Sequence, residues 1–393
     1  MALRQSRRAA LAAQSEIRAM TLACAEVGGV NLAQGVCDLD VPPPVVLGAK
    51  VAIDAGKNTY TRFDGLPELR RAIASKQRRH TGMEVDPENM IVASIGATGA
   101  FFSAVTALLD PGDEAILFEP FYGYHANTLL ALGVAPRFVT LERPGWTFTD
   151  QDLERAVGPN TRALVLNTPL NPCGKVFTRE ELGRIAAFAE AHDLFVFSDE
   201  IYEHFVYDGR EHVAPATLPG MAGRTITISG FSKVYAVTGW RLGYAICDPR
   251  WHEAIGHVND LVYVCAPAPL QVGASRGLLE LGPDYYRDLA AEHQEKRDVF
   301  CAALAGAGLE PLVPEGAYYA LADVSSLPGE DDKARAMFLL REAGVAGVPG
   351  RAFFTEDKGR DLLRFCFAKR PHVLEDACAR LGRPGLRERL GHP

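Results

Sequence analysis

The chain has no Cys-x-x-Cys pair, no histidine–cysteine group at metal-ligand spacing, and no apolar run long enough to cross a bilayer. No Gly-x-Gly-x-x-Gly follows a strand-like stretch. Each absence excludes something. The eight cysteines (24, 37, 173, 247, 265, 301, 366 and 378) are scattered, which reads as reduced thiols in a cytoplasmic protein without structural zinc. Without a long apolar run no membrane span is expected. The first fourteen residues are basic and alanine-rich, but no apolar segment follows them, so no secretory signal is expected. A nicotinamide-binding fingerprint is missing. Lys plus Arg number 41 against 49 Asp plus Glu, a net charge of -8, which leaves no basic surface for nucleic acid. There is no internal repeat and no low-complexity tract.

What remains is ordinary globular composition over 393 residues, 48% hydrophobic and 23% charged. That length suits a large domain with a smaller one attached. Residues 1–30 read as a helical arm. Pro67 opens a helix at a position where its missing N–H costs nothing. From about 90 to 250 strand-like runs recur: Met90–Ser94, Ala115–Phe118, Arg137–Leu141, Ala163–Leu166, Leu194–Phe197, Thr225–Ile228 and Leu242–Ile246. Helical stretches lie between several of them. One begins at Thr178-Arg-Glu-Glu181, a capping box. Apolar strands alternating with helices predict an α/β fold: a mainly parallel seven-stranded sheet in a three-layer α/β/α sandwich. Beyond a long charged helix, Tyr285–Ala305, short strands near Tyr318–Leu321 and Leu362–Phe367 predict a smaller α+β domain. The expected limits are 1–44 for an arm with part of the small domain, 45–283 for the large domain and 284–393 for the small one.

Ligands of such sheets bind beyond the carboxyl ends of the strands. The residues there form a set. Gly96-Ala97-Thr98-Gly99 opens a helix, where free N–H groups suit a phosphate. Glu119-Pro-Phe-Tyr122-Gly-Tyr124 offers an aromatic to stack on a flat ring. Asn167-Thr-Pro-Leu-Asn171 offers an amide for a ring hydroxyl. Asp199 ends a buried strand and needs a partner such as a protonated ring nitrogen, and Tyr202 lies three residues on. Ser232-Lys233 and Arg241 follow the next strand, and Arg364 stands in the apolar run Leu363–Ala368. A guanidinium there calls for an anion such as a carboxylate. Singly, each is ordinary turn or surface chemistry. Together they meet the needs of pyridoxal 5'-phosphate (PLP): a Schiff-base lysine, Lys233, a carboxylate for the ring nitrogen, Asp199, and a phosphate cradle with Arg241.

The sequence resembles the fold type I PLP-dependent aminotransferases of classes I and II, in the aspartate, aromatic and kynurenine-type branch. The resemblance runs from Ser15 to about Leu381. Its carriers are Asn58-Thr-Tyr60 through Arg70, Gly96-Ala-Thr98, Asn167 through Gly174, Ser198-Asp199-Glu-Ile-Tyr202, Ser232-Lys233 through Arg241, and Arg364-Phe-Cys-Phe-Ala. It implies transfer of an amino group from an L-amino acid to a 2-oxo acid through a Lys233 Schiff base and a pyridoxamine form. Lys233 would also move the proton, with its pKa depressed by neighbouring cations. Tyr122 would stack on the ring, with Asn171 and Tyr202 on its phenolic oxygen. Gly35 and Arg364 would hold the substrate carboxylate. Tyr60 would reach the phosphate of a neighbouring subunit, making a homodimer. A lyase, cyclase or oxidase on the same site is the alternative.

Four positions depart from the family pattern. Gly230 stands where a hydroxyl is frequent, with Ser232 or Ser229 as replacements. Ala268 stands in place of Thr or Ser, and Gly99 in place of Glu. Arg351 replaces a small hydroxyl residue and, like Arg62, is either a receptor for an anionic substrate or a surface charge. Gly273-Ala-Ser275-Arg-Gly277 fits a hydrolase elbow, but the run Leu270–Leu281 reads as one helix without the strand that motif needs.

Overall fold

The computed structural model describes residues 16–390 together with Leu3 and Ser6. A helix spans Glu16–Glu26; the rest of the expected arm before it lies outside the described residues. Strand β1 (Val30–Asn31) follows. Seven strands then build the large sheet: β2 (Ile91–Ile95), β3 (Glu114–Glu119), β4 (Ala135–Thr140), β5 (Thr161–Asn167), β6 (Phe195–Asp199), β7 (Thr225–Gly230) and β8 (Leu242–Ile246). Their order is β2-β8-β7-β6-β5-β3-β4. All pairs are parallel except those of β8, which is antiparallel to β2 and β7. The reason lies in chain length. Only residues 231–241 join β7 to β8, and a parallel crossover needs a dozen residues or more. The chain therefore turns straight back.

Alternation along the strands divides the core between two faces. Ile116 and Phe118 pack with Leu164, Leu166, Phe148 and Phe177 on one side. Ala115 and Leu117 pack with Val165, Phe197, Phe101 and Ile226 on the other. Both faces are thus apolar and covered by helices, which makes the three layers. The capping box at Thr178 forms as expected: Thr178 Oγ1 accepts from the Glu181 amide, and the Glu181 carboxylate accepts from the Thr178 amide at 2.8 Å.

The C-terminal part builds a second sheet from β9 (Glu310–Leu312), β10 (Tyr319–Asp323), β12 (Val348–Pro349) and β13 (Leu362–Cys366), ordered β12-β13-β10-β9 and antiparallel throughout. The short β11 (Val345–Ala346) pairs in parallel with β1. That pairing fastens the start of the described chain to its C-terminal part. The hydrolase-like glycines serve packing. A Cβ on Gly273 would lie 2.6 Å from Val45 O, so the helix Ala268–Glu280 can press against the helix Pro43–Asp54. Ser275 is buried there and donates to Glu68 O at 3.2 Å.

Candidate active site

The strand register lines up the site. Asn167 pairs with Asp199, and Asp199 with Ile228, so β5, β6 and β7 end together. Because β8 runs the other way, its first residue comes to this same edge: Leu242 pairs with Ile95, and Gly243 with Gly230. Arg241, immediately before β8, is thereby placed beside the helix that starts at Gly96. Its Nη2 lies 2.6 Å from where a Gly96 Cβ would be, and Nη1 donates to Thr238 O at 2.9 Å. The helix Gly96–Leu108 has no side-chain cap, so its first amides are open to an anion. Ala97, Thr98, Ser232 and Arg241 all line one cavity with Tyr122, Asn171, Asp199, Tyr202 and Lys233.

Asp199 is buried at the floor. Its Oδ1 accepts from the Ile201 amide at 3.1 Å, and its Oδ2 lies 2.9 Å from His125 Nε2. The buried carboxylate therefore has a protein partner that no sequence motif announced. His125 sits one residue beyond the aromatic run ending at Tyr124, on the helix Gly123–Leu132. Tyr122 meets its ring edge-on at 5.2 Å. Phe101 and Thr128 also line the cavity and lie outside every motif of the sequence; Ile201 and Thr238 line it too, within the stretches Ser198–Tyr202 and Ser232–Arg241.

Lys233 is partly buried and donates from Nζ to Gly35 O at 3.2 Å. Burial pulls its pKa from the usual 10.5 down to about 8; Arg364 and Arg241 push the same way, while Cys366 and Cys37 oppose. The depression expected from neighbouring cations is therefore mainly a desolvation effect. Tyr202 is buried and its hydroxyl lies 3.0 Å from that of Tyr319. Burial, with Tyr319 adding to it, drives the Tyr202 phenol well above its ordinary range, so it stays protonated.

Arg364 lies in β13 and is 1% exposed. Tyr319 and Phe353 flank its guanidinium, with ring centroids at 4.3 and 4.7 Å. Nη1 donates to Asn171 Oδ1 at 3.1 Å and Nη2 to Ala33 O at 2.8 Å. Nε has no partner, and no carboxylate pairs with the group among the described residues. A buried guanidinium left in this state fits an incoming carboxylate. Gly35 stands close by: a Cβ there would fall 2.1 Å from Tyr319 Oη. Tyr60 does not enter this cavity and is 83% exposed.

The departures acquire physical reasons. A Cβ on Gly230 would meet Gly243 Cα and Leu242 O at 2.9 Å, so no side chain fits. Of the two candidate hydroxyls, Ser229 donates to Glu203 Oε1 at 2.9 Å, whereas Ser232 lines the cavity. A side chain on Gly99 would crowd Ser94 Oγ at 2.8 Å. Arg351 and Arg62, open between substrate receptor and surface charge, both have carboxylate partners. Arg351 pairs with Asp331 at 2.6 Å and with buried Asp332. Arg62 donates from Nε to Asp64 Oδ1 at 2.6 Å. Neither holds a free charge for a substrate.

Known proteins share both the sequence pattern and the fold. The sequence profile of aminotransferase class I and II matches residues 27–381. Kynurenine–oxoglutarate transaminase 3 of Rattus norvegicus is 34% identical over 388 residues, covering 91% of this chain and 85% of its own. A probable N-succinyldiaminopimelate aminotransferase of Mycobacterium tuberculosis is 38% identical over 377 residues, 92% of this chain and 94% of its own. The solved N-succinyldiaminopimelate aminotransferase from M. tuberculosis superposes with a TM-score of 0.93 at 35% identity, over 96% of this chain and 99% of that one. A Thermus thermophilus aspartate aminotransferase mutant gives 0.90 at 32%, over 97% and 100%. These likenesses favour amino-group transfer over the lyase, cyclase or oxidase alternative. This chain belongs to the class I and II aminotransferases, enzymes that act with pyridoxal 5'-phosphate.

Proposed function

We propose the following division of labour for the amino transfer between an L-amino acid and a 2-oxo acid. PLP, when bound, supplies an electrophilic aldehyde and a conjugated ring that accepts an electron pair. The open amides of Gly96, Ala97 and Thr98, with Ser232 and Arg241, hold its phosphate. Asp199, kept in place by His125 and the Ile201 amide, would serve its ring nitrogen. Tyr122 covers the ring face. Asn171 and the protonated Tyr202 hydroxyl serve its phenolic oxygen. Lys233 Nζ would hold the cofactor aldehyde and, once the substrate amine had displaced it, would be free to move a proton at the substrate's Cα. A pKa near 8 suits that exchange at physiological pH.

The observation that carries the substrate side is the unpartnered Nε of Arg364. The guanidinium binds the α-carboxylate, with Gly35 beside it. Arg351 and Arg62 spend their charge on Asp331, Asp332 and Asp64. We therefore assign a donor with an uncharged side chain. Single-turnover spectra of the cofactor-loaded enzyme with a panel of donors test this. Neutral donors should convert the bound cofactor, with a 2-oxo acid restoring it; a preference for aspartate or glutamate would overturn the assignment.

The functional unit we propose is a homodimer. The Thr61 amide approaches Cys265 Sγ at 3.5 Å, tying the segment that carries Tyr60 to the loop after the helix Pro249–Tyr263. Tyr60 and Leu261 are 83% and 85% exposed, an apolar surface suited to a second copy. Tyr60 would then reach the neighbour's phosphate. The β1–β11 pairing supports grouping residues 1–44 with 284–393 as the smaller domain and 45–283 as the larger. No helix among the described residues is long and apolar enough to cross a membrane.

A further inference from the structure

We propose that Glu119 is a positioning residue for carboxylate recognition: from the large sheet it fastens the turn that holds Arg364. This rests on the reading of Arg364 as the carboxylate receptor. Glu119 is the last residue of β3 and is wholly buried. Its Oε1 accepts from the Thr355 amide, and its Oε2 accepts from Lys358 Nζ at 2.9 Å and from Thr140 Oγ1 at 2.9 Å. Thr355 and Lys358 belong to the loop between the 3-10 turn Gly350–Phe353 and β13. Two residues after Glu119, the Phe121 amide donates to Phe353 O at 2.9 Å. The ring of that same Phe353 lies against the Arg364 guanidinium.

The turn is therefore tied at both ends. At its start Arg351 grips Asp331 and Asp332, near the helix Asp332–Ala343 that packs with the small sheet. At its end Glu119 grips Thr355 and Lys358 from the large sheet. Phe353 lies between the two ties and forms one wall of the Arg364 sandwich. Tyr122, at the ring face, lies three residues from Glu119. The carboxylate receptor and the ring-facing residue are thus referenced to one point. A buried carboxylate with three donors is costly to leave half-satisfied, so it holds the turn in one place. Losing the tie releases Phe353 and lets the guanidinium shift out of the geometry in which its fork meets a carboxylate.

The test compares Glu119→Gln, Lys358→Met and Arg364→Lys in the cofactor-loaded enzyme. Measured are kcat and KM for the best donor of the panel, cofactor affinity, and binding of 3-phenylpropionate, an unreactive carboxylate. Glu119→Gln should raise KM about tenfold and weaken 3-phenylpropionate similarly, with kcat within about twofold and cofactor affinity unchanged. Lys358→Met should move the same quantities in the same direction by less. Lys358 is half-exposed and its replacement keeps the stem, so it decides the matter if Glu119→Gln fails to fold. If Arg364→Lys raises KM while both latch variants leave it unchanged, the proposal falls and the carboxylate reading stands. If Arg364→Lys itself leaves KM unchanged, the carboxylate reading falls and takes the proposal with it. A loss confined to kcat or to cofactor affinity also overturns it.

Discussion

Replacing Lys233 by Met should inactivate the enzyme and stabilise the cofactor-free protein at neutral pH. The lysine is held where its ammonium is poorly solvated, and burial lowers its pKa from 10.5 to about 8. A tenfold loss of proton affinity corresponds to about 1.4 kcal/mol, so keeping this group charged costs about 3 kcal/mol of folding free energy. Methionine has nearly the same length and removes that penalty. It also loses the donation to Gly35 O, worth about 1 kcal/mol. The expected gain at pH 7 is thus about 2 kcal/mol. Its pH dependence follows from linkage. Below pH 8 the lysine is protonated in both folded and unfolded chains, and the penalty is constant. Between pH 8 and 10.5 the folded chain releases the proton while the unfolded chain keeps it, so the wild type gains stability as pH rises. Above 10.5 the penalty is gone. The advantage of Lys233→Met should therefore be full at pH 7 and shrink from pH 8 upward. Urea unfolding of the cofactor-free protein at pH 7 and pH 10, at fixed protomer concentration, measures it. A destabilised variant at pH 7, or a difference that does not change with pH, refutes the desolvation argument.

Three further outcomes are expected. Lys233→Ala should bind PLP without covalent attachment, so that borohydride fixes no cofactor to the chain; retained turnover would exclude the lysine's role. Gly35→Ala should raise KM for the donor about tenfold or more, because its Cβ would displace the Tyr319 hydroxyl from 2.1 Å and with it one wall around Arg364; unchanged KM would show that the wall is dispensable. Gly243→Ala should weaken PLP binding and lower the melting temperature by several degrees, corresponding to about 1–3 kcal/mol, since its Cβ would sit 2.4 Å from the Ala97 amide nitrogen; thermal unfolding and cofactor titration read both effects.

Much of the site was legible in the chain because strand ends, glycines and isolated charges in apolar runs have local causes. Asp199 and Arg364 stood out as charges where burial was certain. Lys233 and Arg241 flank a loop that strand periodicity bounded on both sides. His125 escaped because a histidine on a helix following aromatics carries no local mark; only the fold shows it 2.9 Å from Asp199. The role of Arg351 stayed open because its partners Asp331 and Asp332 stand some twenty residues away and no spacing announces the pair. Periodicity also cannot distinguish parallel from antiparallel, since side chains alternate in both.

By itself the sequence determined the layers, the seven strands, the cofactor class and the identity of the groups at the strand ends, because hydrophobic period and residue chemistry are local quantities. The tertiary structure alone decided which charges are satisfied. It turned β8 back so that Arg241 meets the helix start at Gly96, set Arg351 against Asp331 and Asp332, and left the Nε of Arg364 without a partner. Charge balance inside a protein depends on which distant side chains burial brings within a few ångströms, and distance along the chain does not encode that.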